Sequence, residues 1–204
     1  SVQLLALEGV GTVMHADRSL CHGAHHAGAP HQRTGLDGPD LPVNDRAPRI
    51  ALVHDWLATP GGAELVLEQL LTIFPGADLF TMIDQRPPDA RAALPKSVKI
   101  TTSWLQHVPG IRRNYRSWLP LMPLALRSLD VSRYDIVISN SHAVAKGIRT
   151  GPRQLHLCYC LSPMRYAWDL KAQYLEEAGL DHGVKGALAS AMLERMRRWD
   201  LANT

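Results

Sequence analysis

Between Arg49 and Trp199 the apolar positions fall into short β-rich runs separated by stretches with helical spacing. Ile50 to Val53 is the first run, followed by the loop Leu57 to Gly62; Ala63 to Phe74 then sets Leu65, Val66, Leu70, Ile73 and Phe74 on one helical face. Leu79 to Ile83, Val98 to Thr101, Asp135 to Ser139 and Leu155 to Tyr159 read as four further strands. Helical stretches lie between most of them, the longest around Arg112 to Leu129, and two more helices, about Leu170 to Ala178 and Val184 to Trp199, complete the chain. Alternation on this scale predicts an α/β fold, a Rossmann-like open parallel sheet with flanking helices.

The pattern breaks near Pro48. Residues 1–48 are rich in Gly, Pro, His and Asp and, after Val13, hold no sustained period of 2 or 3.6. They predict a poorly ordered extension ahead of a domain over residues 49–204. His15, His22, His25, His26 and His31, with Cys21, form a candidate metal tract. A solvated tail is the preferred reading, because a ligand cluster needs a fold to fix its geometry. Val2 to Met14 has no basic leading segment and carries Glu8, which makes it a poor secretory signal.

Composition narrows the class. The 204 residues suffice for one ordinary domain, and 46% hydrophobic with 20% charged residues is globular. A formal charge of +3 is too mild to argue for nucleic acid. Three cysteines, with Cys158 and Cys160 one residue apart, build no disulfide scaffold and favour a reduced, cytoplasmic protein; C-x-C alone implies no metal site. The longest apolar stretch, Leu119 to Leu126, is far below the roughly 20 residues that span a bilayer.

In an open parallel sheet the ligand crevice lies beyond the carboxyl ends of the strands. After the first strand come His54, Asp55, Thr59, Gly61, Gly62 and Glu64. Paired glycines admit a close approach of main chain to ligand, and amides opening a helix suit a phosphate. The same Gly-Gly is also ordinary turn chemistry. Asp55 and Glu64 either orient a polar ligand or charge the helix start. After the fourth strand Ser141 can cap a short helix on which His142 and Lys146, four apart, share a face. After the fifth, the segment from Cys160 to Asp169 gathers Ser162, Arg165, Tyr166, Trp168 and Asp169, a surface suited to a sugar or nucleotide, or an aromatic loop packed on the helices.

Taken in order, Arg49-Ile-Ala-Leu-Val-His-Asp-Trp56, Gly61-Gly-Ala-Glu64, Tyr134-Asp-Ile-Val-Ile-Ser139, Ser141-His-Ala-Val-Ala-Lys-Gly147 and Cys158-Tyr-Cys-Leu-Ser-Pro-Met-Arg-Tyr-Ala-Trp-Asp169 resemble the amino-terminal lobe of family 4 glycosyltransferases. The resemblance runs from about Arg49 to the end. It implies a GT-B architecture of two Rossmann-like lobes, the first mainly holding the acceptor and the second the nucleotide-sugar. It further implies retaining transfer of a hexose, often mannose, from a nucleoside diphosphate sugar to a glycan or lipid-linked acceptor, with no cofactor and no required metal. On that resemblance Gly61 and Gly62 match the loop that approaches the donor diphosphate and transferred sugar, and Asp55 is a candidate for hydroxyl binding. Arg165, Tyr166, Trp168 and Asp169 match the block expected to line the cleft. Many relatives place a histidine where this chain has Leu161, before Ser162-Pro163; His142 or the main chain is left to supply that contact. Asp55 and His142 are therefore the candidate catalytic residues, with Gly61, Gly62, Glu64, Lys146, Ser162, Arg165, Tyr166, Trp168 and Asp169 as candidate substrate-binding residues.

The resemblance also implies a carboxyl-terminal lobe that does not appear before Thr204. The stretch is expected to be less than half of an enzyme, with negligible transferase activity by itself. Two rivals stand beside this reading: a non-catalytic acceptor-binding lobe or inactive homologue, and another Rossmann-like nucleotide enzyme such as a dehydrogenase. The second lacks the G-x-G-x-x-G fingerprint. From Trp104 to Arg127, Arg112, Arg113, Arg116 and Arg127 alternate with Trp104, Tyr115, Trp118, Leu119, Leu121, Met122 and Leu124, and Arg195, Arg197 and Arg198 add to the basic face. That mixture suits peripheral contact with an anionic membrane at the inner face of the cell membrane, against the alternative that the apolar members are core.

Overall fold

The computed structural model describes residues 13–16, 46–58, 61–87, 94–162, 164, 165, 167–177, 179, 180 and 182–203. Six strands form one sheet: β1 (Val13–Ala16), β2 (Ile50–His54), β3 (Asp78–Thr81), β4 (Ile100–Thr102), β5 (Ile136–Ser141) and β6 (Leu155–Cys160). Their order across the sheet is β1-β6-β5-β2-β3-β4. The five strands from β2 to β6 are mutually parallel, and β1 runs antiparallel to β6 at the edge. The expected Rossmann-like α/β sheet is therefore present.

β2 lies at the centre, and four of its five residues are buried. A parallel strand covered on both faces must be apolar along its whole length, and Ile50-Ala-Leu-Val meets that demand without alternation. Leu52, Leu79 and Ile138 point to one face and pack under Leu67 and Leu71 of α1 (Gly62–Ile73). Ala51, Val53, Phe80 and Val137 point to the other. There they meet Leu105, Leu119, Met122, Ala125 and Leu126 from the β4–β5 connection, and Met196 from the last helix.

Three expectations change. The helix expected over Arg112 to Leu129 is a 3-10 helix, Tyr115–Leu121, followed by the five-residue α2 (Met122–Leu126). Pro120 lies inside the first piece and Pro123 in the first turn of the second, and each lacks the N–H that a continuous α-helix would use. Between β5 and β6 there is only the 3-10 turn Ala145–Gly147. Within the segment expected to be an extension, Val13–Ala16 pairs with β6, Val13 opposite Cys160 and Ala16 opposite Leu157; the other residues before Arg46, including the histidine tract from His22 onward and Cys21, lie outside the described residues.

After β6 come α3 (Lys171–Glu177) and the 20-residue α4 (Gly183–Ala202). No helix among the described residues is long and apolar enough to cross a membrane. Of the apolar residues expected at a membrane surface, Leu119 and Met122 are core, and Tyr115 and Trp118 pack against it. Trp104, Leu121 and Leu124 are exposed, as are Arg112, Arg113, Arg116 and Arg127.

Candidate functional site

The chain moves from β2 to β3 and β4 on one side, then crosses back to place β5 on the other side of β2. The gap beyond β2 and β5 is the topological switch point, where an open α/β sheet has room for a ligand. His54-Asp55-Trp56 ends one of these strands and Asn140-Ser141-His142 the other.

Strand alternation sends His54 and Asp55 to opposite layers. His54 faces α1: its Nδ1 lies 3.1 Å from the Asn140 carbonyl oxygen, and its Nε2 lies 3.8 Å from Glu64 Oε1, beyond hydrogen-bond reach. Asn140, its register partner, donates from Nδ2 to the Ala63 carbonyl at 2.8 Å. The first turn of α1 is thereby tied to the ends of both central strands. His54 Nε2 and Asn140 Oδ1 are both buried without a hydrogen-bond partner among the described residues. Buried polar atoms rarely remain so unless something outside the chain meets them.

Asp55 is fully buried. Its Oδ2 accepts the amides of His142 and Ala143 at 2.7 and 2.9 Å, and its Oδ1 those of Val144 and Ala145 at 2.6 and 2.7 Å. The carboxylate thus caps the whole turn beyond β5. Burial pushes its pKa up, but His142, His54 and the Ala145 and His142 amides outweigh burial and hold it below the ordinary carboxylate value. The expectation that Asp55 meets a sugar hydroxyl is corrected by this geometry: both oxygens are spent on main-chain amides, so Asp55 positions the turn that carries His142.

His142 Nδ1 stands 3.1 Å from Asp55 Oδ2, and the side chain retains 26% exposure. Its ring meets Trp56 edge-on with centroids 4.6 Å apart, and Trp56 in turn packs on Tyr115. His142 Nδ1 is nonetheless buried without a hydrogen-bond partner among the described residues, so Asp55 positions His142 through its main-chain amide. Glu64 is partly buried; burial raises its pKa, and the adjacent His54 with its own backbone amide more than offsets this, leaving it lowered.

Gly61 and Gly62 are exposed at the start of α1. Gly61, the N-cap residue, is extended with φ −162°, which any residue adopts. A Cβ on Gly62 would meet nothing within 4 Å. Neither backbone conformation nor packing requires a glycine at Gly62, where it costs about 0.5–1 kcal/mol relative to alanine.

The other predicted residues lie apart. Lys146 does not share an open face with His142: its side chain is 5% exposed and ion-paired with Asp200 of α4. Trp168 Nε1 donates to Asp200 at 2.9 Å, and Arg197 stacks on its ring at 4.4 Å. Lys146 and Trp168 therefore lock α4 to the turn beyond β5 instead of offering a ligand surface. Ser162, Arg165 and Asp169 are exposed on the loop after β6, which starts beside the site through Leu161 N–H to the Ser141 carbonyl at 2.9 Å. Tyr166 lies outside the described residues. His54, Trp56 and Asn140 were not among the predicted site residues, although all three follow or end the strands at the crevice and were findable by that position. An open cavity of about 430 Å³ lies elsewhere, beside β4, lined by residues such as Asp84, Arg86, Lys96, Thr102 and Gln106; no predicted site residue lines it.

Among the described residues no group of three or more His, Cys, Asp or Glu is arranged to hold a metal ion. In comparisons with known proteins, no family model, no characterised protein and no solved structure matches the chain.

Proposed function

We propose that this chain is the amino-terminal lobe of a retaining hexosyltransferase, a glycosyltransferase of family 4 type that uses a nucleoside diphosphate hexose, such as a mannose donor, and a glycan or lipid-linked acceptor. The observation that carries the reading is the exposed Gly61-Gly62 turn at the switch point, where Gly61 has an ordinary extended backbone and a Cβ on Gly62 would meet open space. The first amides of α1 offer an anion a positive helix end. His54 Nε2 and Asn140 Oδ1, buried and unpartnered, supply polar contacts for a sugar beside it. His142, held by Asp55, is the group to touch the reacting hydroxyl. In the reaction the anomeric carbon loses its bond to diphosphate oxygen and gains one to the acceptor oxygen with retained configuration, and the acceptor hydroxyl's proton ends on the departing diphosphate. A second lobe closing over the crevice provides the rest of the donor site, since rate enhancement depends on holding both substrates together and stabilising the departing charge.

The exposed Trp104, Leu121 and Leu124 among Arg112, Arg113, Arg116 and Arg127 favour an acceptor at an anionic lipid surface. Flotation with anionic vesicles at low salt checks this, and absence of binding there removes it. The main reading is tested by calorimetric titration with nucleoside diphosphates and diphosphate hexoses. Binding that Gly62→Leu abolishes, with thermal stability kept or raised, is the expected result; no binding by any of them refutes it. Turnover is measured separately with a lipid-linked acceptor, and binding without turnover even when a second lobe is supplied favours a non-catalytic lobe.

A further inference from the structure

Among the described residues β4 is the free edge of the sheet opposite β1. Leu79 N–H donates to the Lys99 carbonyl at 2.9 Å and Ser103 N–H to the Thr81 carbonyl at 3.1 Å, so Lys99, Thr101 and Ser103 turn their main chain toward β3. Ile100 and Thr102, which alternate with them, turn theirs outward. The cavity of about 430 Å³ runs along that edge and is lined by both residues. β3 separates it from the switch point between β2 and β5. Its volume suits a small molecule, for which sites of about 300–1,000 Å³ are usual.

Leu94, Val98 and Ile100 give the cavity an apolar wall. Its polar wall is built around Arg86, which is only 9% exposed. Asp84 takes one side of the guanidinium, Oδ1 accepting from Nε at 3.1 Å and Oδ2 from Nη2 at 3.0 Å. Gln106 holds the Asp84 main chain in turn: its Oε1 accepts the N–H at 2.7 Å and its Nε2 donates to the carbonyl at 3.3 Å. The guanidinium is thereby fixed in place before any ligand arrives. An arginine carries five N–H donors, and those not spent on Asp84, both on Nη1 among them, meet no acceptor among the described residues. Thr102 Oγ1 and Lys96 Nζ likewise make no hydrogen bond or ion pair there. Asp84 offsets the charge of Arg86, and Lys96 leaves the lining with a surplus positive charge.

We propose that this cavity is a binding site for a small organic carboxylate with an apolar tail. The carboxylate lies against the uncommitted N–H groups of Arg86, with Lys96, the Thr102 hydroxyl and the outward N–H groups of β4 as further donors, and the tail covers Val98 and Ile100. A planar carboxylate accepts two parallel N–H groups of a guanidinium at once, and charge-assisted bonds of this kind are about twice as strong as neutral ones. An amine finds no such partner, because the one carboxylate in the lining already spends both oxygens on Arg86. The site is independent of the transferase reading, since neither Gly61, Gly62 nor His142 lines it.

The experiment titrates the full chain with hexanoate, hexylamine and hexanol at neutral pH and matched ionic strength, following amide and methyl resonances by NMR. Hexanoate is expected to shift Val98, Ile100 and Thr102 saturably, and hexylamine and hexanol to bind about tenfold or more weakly, since hydrogen bonds to a charged group are each worth about a factor of ten. Lys96→Glu reverses the surplus charge and is expected to weaken hexanoate about tenfold or more, whereas Lys96→Arg retains it. Lys96 is exposed on a turn, so these replacements report on binding and leave the fold intact. No saturable shift at the cavity, equal binding of hexylamine or hexanol, or an unchanged affinity in Lys96→Glu overturns the proposal.

Discussion

Asp55→Asn isolates the contribution of one buried carboxylate to this fold. Four main-chain amides from His142 to Ala145 end on its two oxygens. Asparagine keeps one acceptor oxygen and turns an N–H₂ group toward amides that need an acceptor. Two donors are then left buried and unsatisfied at about 1–3 kcal/mol each, and the bonds that remain lose their charge assistance. The two donors alone come to about 2–6 kcal/mol, a large share of the roughly 5–15 kcal/mol that holds an ordinary domain together. Urea unfolding followed by tryptophan fluorescence should show the midpoint falling accordingly, with the exposed Asp169→Asn as a control that leaves it in place. The carboxyl is held below its ordinary value when folded. Its stabilisation is thus whole above the unfolded pKa of about 3.9 and is lost as pH falls through the lower folded value. Asp55→Asn should flatten that acid limb. A destabilisation below about 1 kcal/mol, or an unaltered acid limb, refutes the clamp.

Gly62→Ala should raise thermal stability by about 0.5–1 kcal/mol, because the added Cβ meets open space and the helix gains a better former; a loss of stability would show that the glycine serves the fold after all. Lys146→Met should cost about 3–5 kcal/mol by leaving Asp200 buried without its ion pair, and Lys146→Met with Asp200→Leu should recover much of that; a double variant no better than the single one counts against this account. Gly147→Ala brings a Cβ against the rigid ring of Trp199 and should cost about 1–3 kcal/mol and raise hydrogen exchange in α4, whereas unchanged exchange there would mean the ring yields freely.

The strand runs were legible because a parallel sheet buried on both faces demands unbroken apolar segments, and Ile50-Ala-Leu-Val and Ile136-Val-Ile are of that kind. The existence of α1 was equally legible, since its apolar content and the glycines at its start are local properties, but its buried face was not: Leu67 and Leu71 are buried, whereas Leu65 and Ile73, expected on that face, are exposed. The β4–β5 connection was legible only in part: its apolar spacing predicts one long helical stretch, whereas Pro120 and Pro123 limit helix length whatever the spacing. Val13–Ala16 was not found because an edge strand of four residues takes its hydrogen bonds from β6, and nothing in its own sequence reports that neighbour.

Sequence by itself determined which residues follow each strand, and so that Asp55, Gly61, Gly62 and His142 lie beyond the carboxyl ends of β2 and β5. What each does there was decided by tertiary structure. Asp55 turned out to be a clamp because the amides it binds arrive from 87 or more positions away, and Lys146 a buried ion-pair partner because α4 returns to cover it. Chemical identity is local, but whether a carboxylate or an ammonium faces solvent, ligand or chain depends on which distant segment folds against it.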